Sequence, residues 1–289
     1  MLQDSVTALD RLDDGVALAR QTGDPLLVSF ALSTRAWAQG IVGSVPTARL
    51  DFQEAEEHAR ESGAAWLEMD AICGRSLAAS VMGRFDESRR LAESVLVSNL
   101  RFSFPIFEEL AVEALAGVDL LTGRYADATA GYARAHALIR QHRLMDGWGW
   151  LLPMGRMEAL CSMADESGSV GVPDLVRRLQ AIEPSMRRMG RLPLYRGCPE
   201  VARGLVDSRR GRPDAAMRRF ARAAMQRKDC RPSYIDTWVK TRSALEAVRL
   251  GRDVDRAVSV LDDVDSEYRQ RQLHGMRGWL TDIRRIHGA

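Results

Sequence analysis

The chain has 289 residues, 46% of them hydrophobic and 28% charged, with 10 prolines, a balance that excludes a disordered or collagen-like protein. No run of about 18 apolar residues occurs and the first residues lack a basic and then apolar pattern, so neither a helical membrane span nor a secretory signal is expected and a cytoplasmic location is. The net charge of +2 conceals an asymmetry: residues 1–150 carry 14 basic and 21 acidic side chains, residues 151–289 carry 27 and 18.

In chain order, the first predicted element is an unpaired helix near residues 4–21. Gly43, Gly83, Gly123, Gly171, Gly211 and Gly251 then follow at separations of 40, 40, 48, 40 and 40 residues. Each stands after one helix-like segment and before another, where glycine takes a left-handed turn without a Cβ penalty. Counting back 40 residues from Gly43 reaches Gln3 to Ala8, so the chain opens on a half-repeat at 1–23 that an upstream segment is expected to cover.

Behind the glycines runs the pattern G-x4-A-x3-[FY]-x2-A. It is complete at Ala48, Phe52 and Ala55, at Ala128, Tyr132 and Ala135, and at Ala216, Phe220 and Ala223. Positions i, i+4 and i+7 share one helical face, and small side chains flanking an aromatic ring let a neighbouring helix approach closely. The pattern is looser at Ser88, Ala92 and Val95, weak at Val176, Gln180 and Glu183, and one place late at Ala257. Residues 164–173 hold an eight-residue insertion in an irregular fifth repeat, read as a bulge within one array. A last helix near 273–287 is read as a cap, giving about fourteen helices in all.

These residues resemble the tetratricopeptide repeat (TPR), whose second helix carries this alanine, aromatic, alanine face after a glycine turn. The period of 40 exceeds the standard of about 34 residues. It is similar to that of the C-terminal repeat region of bacterial signal-transducing ATPases and regulators of the LuxR and maltose-activator type. HEAT repeats share the period but do not require the small, aromatic, small face. The resemblance implies an all-α fold, a right-handed α-solenoid of about seven TPR-like helix pairs forming a single domain over residues 1–289. It implies a protein-interaction scaffold or sensor arm of a larger regulatory protein, holding a protein or peptide on its concave face. The alternative is a domain that binds a small-molecule effector.

The sequence contains no phosphate-binding loop, dinucleotide fingerprint, H-E-x-x-H or G-x-S-x-G motif, so no enzyme, cofactor or metal is expected. Cys73, Cys161, Cys198 and Cys230 are far apart and read as reduced structural thiols. The five histidines are scattered, and Glu54, Glu56, Glu57 and Glu61 read as a solvated acidic face. Fifteen arginines and Lys228 crowd residues 177–231. They fall around their helices with few aromatics between them, which argues against nucleic acid and for weak steering of a protein partner.

Placing the repeat on the turns puts the first helix of each pair on the concave wall. The expected wall residues are Phe30, Ser33, Trp37, Asp70, Cys73, Leu77, Leu110, Glu113, Gly117 and Trp238, with inter-helix packing as the competing role for Trp37, Trp238 and Cys73. Trp148 and Trp150, flanked by Gly147 and Gly149, are read either as inter-repeat packing or as a ligand-facing pair. Solenoid ends with apolar faces pair with other chains, so a homodimer through the opening helix is expected.

Overall fold

The computed structural model describes residues 5–144, 152–168, 171–228 and 233–288, and among them all regular structure is helical. The helices are α1 (Ser5–Thr22), α2 (Pro25–Val42), α3 (Val45–Ser62), α4 (Ala65–Val81), α5 (Phe85–Phe102), α6 (Pro105–Leu121) and α7 (Tyr125–His142). They continue as α8 (Leu152–Ser167), α9 (Val172–Met189), α10 (Cys198–Arg209), α11 (Pro213–Gln226), α12 (Tyr234–Arg249), α13 (Val254–Gln270) and α14 (His274–His287), with a 3-10 turn at Pro193–Tyr195.

Through α7 the connections are two or three residues long, so each helix turns straight back on the one before it. Every twentieth residue from Gly23 to Arg143 has a positive φ: Gly23, Gly43, Gly63, Gly83, Ser103, Gly123 and Arg143, between 52° and 90°. Ser103 and Arg143 take this conformation with a side chain, at a cost of about 1–2 kcal/mol each. Gly171 departs from the expected turn role. It stands at the start of α9 with φ −55°, and the left-handed residue after α8 is Gly168.

The alanine, aromatic, alanine face is buried in all three complete units, and so are Ser88, Ala92 and Val95. In the two poor units the face survives in a shifted register. Leu175, Leu179 and Ile182 replace Val176, Gln180 and Glu183, and Ala257 begins a stripe continued by Leu261, Val264 and Tyr268. Phe52 lies against Gly74 of α4 and Tyr132 against Gly155 of α8, where a Cβ would collide with the ring.

The first helices of successive pairs touch along the inside, α2 on α4, α4 on α6 and α6 on α8. The C-terminal helices return to this inner wall: α12 meets α2, and α14 meets α4, α6, α8 and α12. The expected capping helix at 273–287 packs one face on this inner wall and leaves His274, Gly278, Thr281 and Arg285 exposed on the other. Its apolar stripe, Met276, Trp279, Leu280 and Ile283, is buried and contributes about 1.5–3 kcal/mol per side chain. Arg271 Nη1 donates to the Val42 carbonyl at 3.4 Å, and Gly275 lies against the Ser80 carbonyl with no room for a Cβ.

A buried ionic network holds the returning helices. Arg242, fully buried on α12, donates through Nε to Glu158 Oε1 of α8 at 2.9 Å and lies 3.5 Å from Glu246. Glu246 also accepts from Arg209 of α10 at 2.9 Å and from Ser208 at 2.5 Å. Arg209 continues to Asp165 of α8 at 2.9 Å, and His287 Nε2 of α14 lies 3.4 Å from the same carboxylate. Arg242→Ala strands two buried carboxylates, and urea denaturation is expected to show a loss of about 3–5 kcal/mol. Arg20→Ala, which removes an exposed pair with Glu54, is expected to cost less than about 1 kcal/mol.

Candidate functional site

Three of the expected wall residues form a cluster between α2 and α4. Ser33 Oγ donates to Asp70 Oδ2, and Trp37 Nε1 donates to the two Asp70 oxygens at 3.2 and 3.3 Å. Burial raises the Asp70 pKa against the lowering effect of these bonds. Trp37 stands edge-on to Phe52 with ring centroids 5.1 Å apart.

The remaining expected residues divide. Leu77, Glu113, Gly117 and Trp238 face an internal lumen. Cys73 and Leu110 are correctly on inner helices but point into the core packed by Leu91, Val95 and Phe107, so they line nothing. Phe30 is 54% exposed and rests beside Trp66, 6.4 Å between ring centroids; it borders neither lumen cavity. Trp148, Trp150 and Cys230 lie outside the described residues. Burial pushes the Cys161 thiol to about 11 and the Cys198 thiol to about 12, and Cys73 well above its ordinary value, so these are unreactive packing groups.

The lumen consists of two cavities, about 100 Å³ and about 70 Å³, both bordered by Leu77, Val81, Glu113 and Tyr234. Trp37, Phe52 and Tyr195 complete the first, Tyr132, Trp238 and Trp279 the second. Trp238 is fixed by its indole N–H, which donates to Glu158 Oε1 at 2.8 Å.

Glu113 is 4% exposed and has no hydrogen-bond or ion-pair partner among the described residues. One turn back on the same face, Glu109 is fully buried with both carboxyl oxygens unpaired. Burial raises Glu109 to about 8 and Glu113 well above the ordinary carboxylate range, the nearby Glu109 adding to the latter. Burial favours the protonated form of both; of the two, Glu113 borders the lumen, a hydrogen-bond donor toward it that becomes an anion when a positive charge compensates it. A carboxyl pair at i, i+4 on α6 was a readable signal for Glu109, whereas Tyr195 and Tyr234 carry no sequence mark of this role.

A larger groove of about 500 Å³ between α11, α12 and α13 has its acidic groups paired, Arg227 with Asp236 and Arg256 with Asp253. Much of the arginine-rich stretch is likewise neutralised: Arg177 and Arg178 by Asp174, Arg203 by Glu183 and Glu200, Arg219 by Glu200 and Asp207. Among the described residues no cluster of ligating side chains fits a metal ion, and no helix is long and apolar enough to cross a membrane.

The fold and the lumen define an all-helical chain with partly open, aromatic-walled, acid-bearing cavities. No family model matches the chain, and a search of curated proteins finds no match.

Glu109 is neutral in the folded protein up to about pH 8 but ionises near pH 4.3 when unfolded, so unfolding releases a proton between these values. Its contribution is complete below about pH 4.3 and is lost as pH rises toward 8. Glu109→Gln is therefore expected to match the wild type near pH 4 and to exceed its stability at pH 8 by on the order of 2–4 kcal/mol, read by urea denaturation across pH.

Proposed function

We propose that the chain is a ligand-sensing module, a right-handed solenoid of TPR-like helix pairs whose inner wall encloses a small organic cation such as a short-chain ammonium ion. The observation that supports this is Glu113, a buried carboxyl with no partner among the described residues that borders both lumen cavities. A carboxyl is costly to bury alone. A cation entering the lumen would compensate the ionised acid, and the faces of Trp37, Tyr195 and Tyr234 suit the remainder of its surface. Volumes of about 70 and 100 Å³ restrict the ligand to a few heavy atoms.

A cation held at Glu113 would bear on the contacts of α12 and α14 with the inner helices α2 and α4, so binding would be coupled to a shape change. That coupling fits a sensor arm in a larger signalling protein, as the resemblance to the repeat regions of bacterial regulators implies. Titration calorimetry with a panel of short alkylammonium ions is expected to find binding that releases about one proton and tightens up to about tenfold per pH unit while Glu113 is protonated. Glu113→Leu is expected to abolish binding with the helical circular dichroism intact. Equal binding by this variant, or no proton release, sinks the reading.

A protein partner is favoured by a different observation. The starts of α2, α4 and α6 lie on one edge, where Leu26, Leu27, Phe30, Trp66, Phe102 and Phe104 are exposed, and Phe102 stacks on Phe104 at 6.1 Å. Exposed aromatics in a row are the usual anchors of an interface. On this reading the partner docks on the edge and not on the concave wall, which α12 and α14 cover. Replacing Phe30 and Trp66 together by Ser is expected to leave the melting temperature within a few degrees and to remove partner capture in a pull-down.

A further inference from the structure

Helices α7, α8 and α9 border an open cavity of about 270 Å³ that shares no residue with the lumen and has Ala133, Arg178 and Ala181 exposed at its rim. It is lined by Thr129 and Ala133 of α7, Arg156 and Leu160 of α8, and Arg178 and Ala181 of α9. Arg156 is half-buried and makes no hydrogen bond or ion pair with any described residue. The more deeply buried Arg209, Arg227 and Arg242 all have carboxylate partners, whereas the half-buried Arg156 has none among the described residues. Burial lowers its pKa with no acid nearby to oppose the shift. Beside it, Thr129 Oγ1 is buried and has no partner either. Arg178 borders the same space and is anchored through Nε to Asp174 Oδ2 at 2.7 Å.

The unmet groups have one sense. A guanidinium without a counter-ion and a hydroxyl without an acceptor both call for a ligand rich in acceptor oxygens. Donors supplied from three different helices suit a tetrahedral oxyanion, whose oxygens point in several directions, better than a planar carboxylate. Ala133, Leu160 and Ala181 leave an apolar remainder large enough for a carbon substituent. We propose that this cavity is a binding site for phosphate or a small phosphate monoester, held by Arg156, Arg178 and the Thr129 hydroxyl. Bound there, the anion would bridge α7 to α9 across the irregular step of the row. The site is independent of the lumen reading.

The test uses the whole chain with inorganic phosphate and glycerol phosphate as probes, and acetate and chloride at matched ionic strength as controls. Calorimetry and thermal melting are expected to show binding and stabilisation by the phosphates and not by the controls, the tighter of the two identifying free phosphate or a monoester. Arg156→Met keeps the stem packing and removes the uncompensated charge. It is expected to weaken phosphate binding about tenfold or more while melting no lower than the wild type in phosphate-free buffer. Thr129→Val provides a second variant if the first does not fold, again weakening phosphate binding without lowering the phosphate-free melting temperature. A phosphate effect equal to that of chloride overturns the proposal. So does unchanged phosphate affinity in the variants.

Discussion

The buried charge of Arg242 is the constraint around which the closed form is arranged. A guanidinium with no solvent exposure is tolerable only with carboxylates at hydrogen-bond distance. Glu158 and Glu246 come from α8 and α12 themselves, and Arg209 and Asp165 extend the chain of contacts to α10 and to His287 on α14. With Arg249, which donates to Glu246 at 2.9 Å, three arginines face three carboxylates and the charge closes. Helix α12 cannot slide past α8 or α10 without stranding one of them. The same Glu158 oxygen that accepts from Arg242 also accepts from Trp238, so the network that closes the fold also sets one wall of the lumen.

Two populations of buried acid therefore pull in opposite directions with pH. Burial alone would raise Asp165 and Glu246, but hydrogen bonding from His287 and Arg209 and the Arg209 charge outweigh it for the first, and the charges of Arg209 and Arg249 for the second, holding both below the ordinary carboxylate range. Their stabilisation is present at neutral pH and is lost as pH falls through their folded values. Glu109 and Glu113 lack such partners and are raised, so their contribution is largest in acid and fades as pH rises. One half of the inner wall is thus built to hold charge and the other to exclude it.

The parts of this arrangement that were legible in the sequence are those with local physical causes. A left-handed turn favours glycine, so the 40-residue spacing of Gly43, Gly83 and Gly123 was visible. The finer spacing of 20 was hidden where Ser103 and Arg143 take the same conformation. The alanine, aromatic, alanine face announced itself where an aromatic ring needs a glycine notch. It disappeared where Leu175, Leu179 and Ile182 perform the same packing one residue earlier. Trp37, Leu77, Glu113 and Trp238 followed from their places on inner helices. Tyr195 and Tyr234 did not, because they reach the lumen only through closure. The stripe of α14 reads as an amphipathic helix in any context, and nothing in its local pattern says that α4, α6 and α8 will cover it.

Closure also determines where the molecule can open. Separating α12 from α8 and α10 would expose Arg242, Glu158 and Glu246 with their partners removed, a change penalised by several kcal/mol. The opposite seam, where Tyr234, Ile235, Met276 and Trp279 face Ala36, Leu77 and Val81, is apolar, and none of these seven residues can form an ion pair. Apolar contacts there can part and re-form around an occupant at a cost set by area alone. The lumen lies on that seam, and its unpaired carboxyl, Glu113, is on the α6 side. An occupant is thus met by the yielding wall on one side and by a charge-capable group on the rigid wall on the other. The ionic network and the unpaired acid are complementary parts of one construction: the first fixes which helices move together, and the second gives the moving seam something to select.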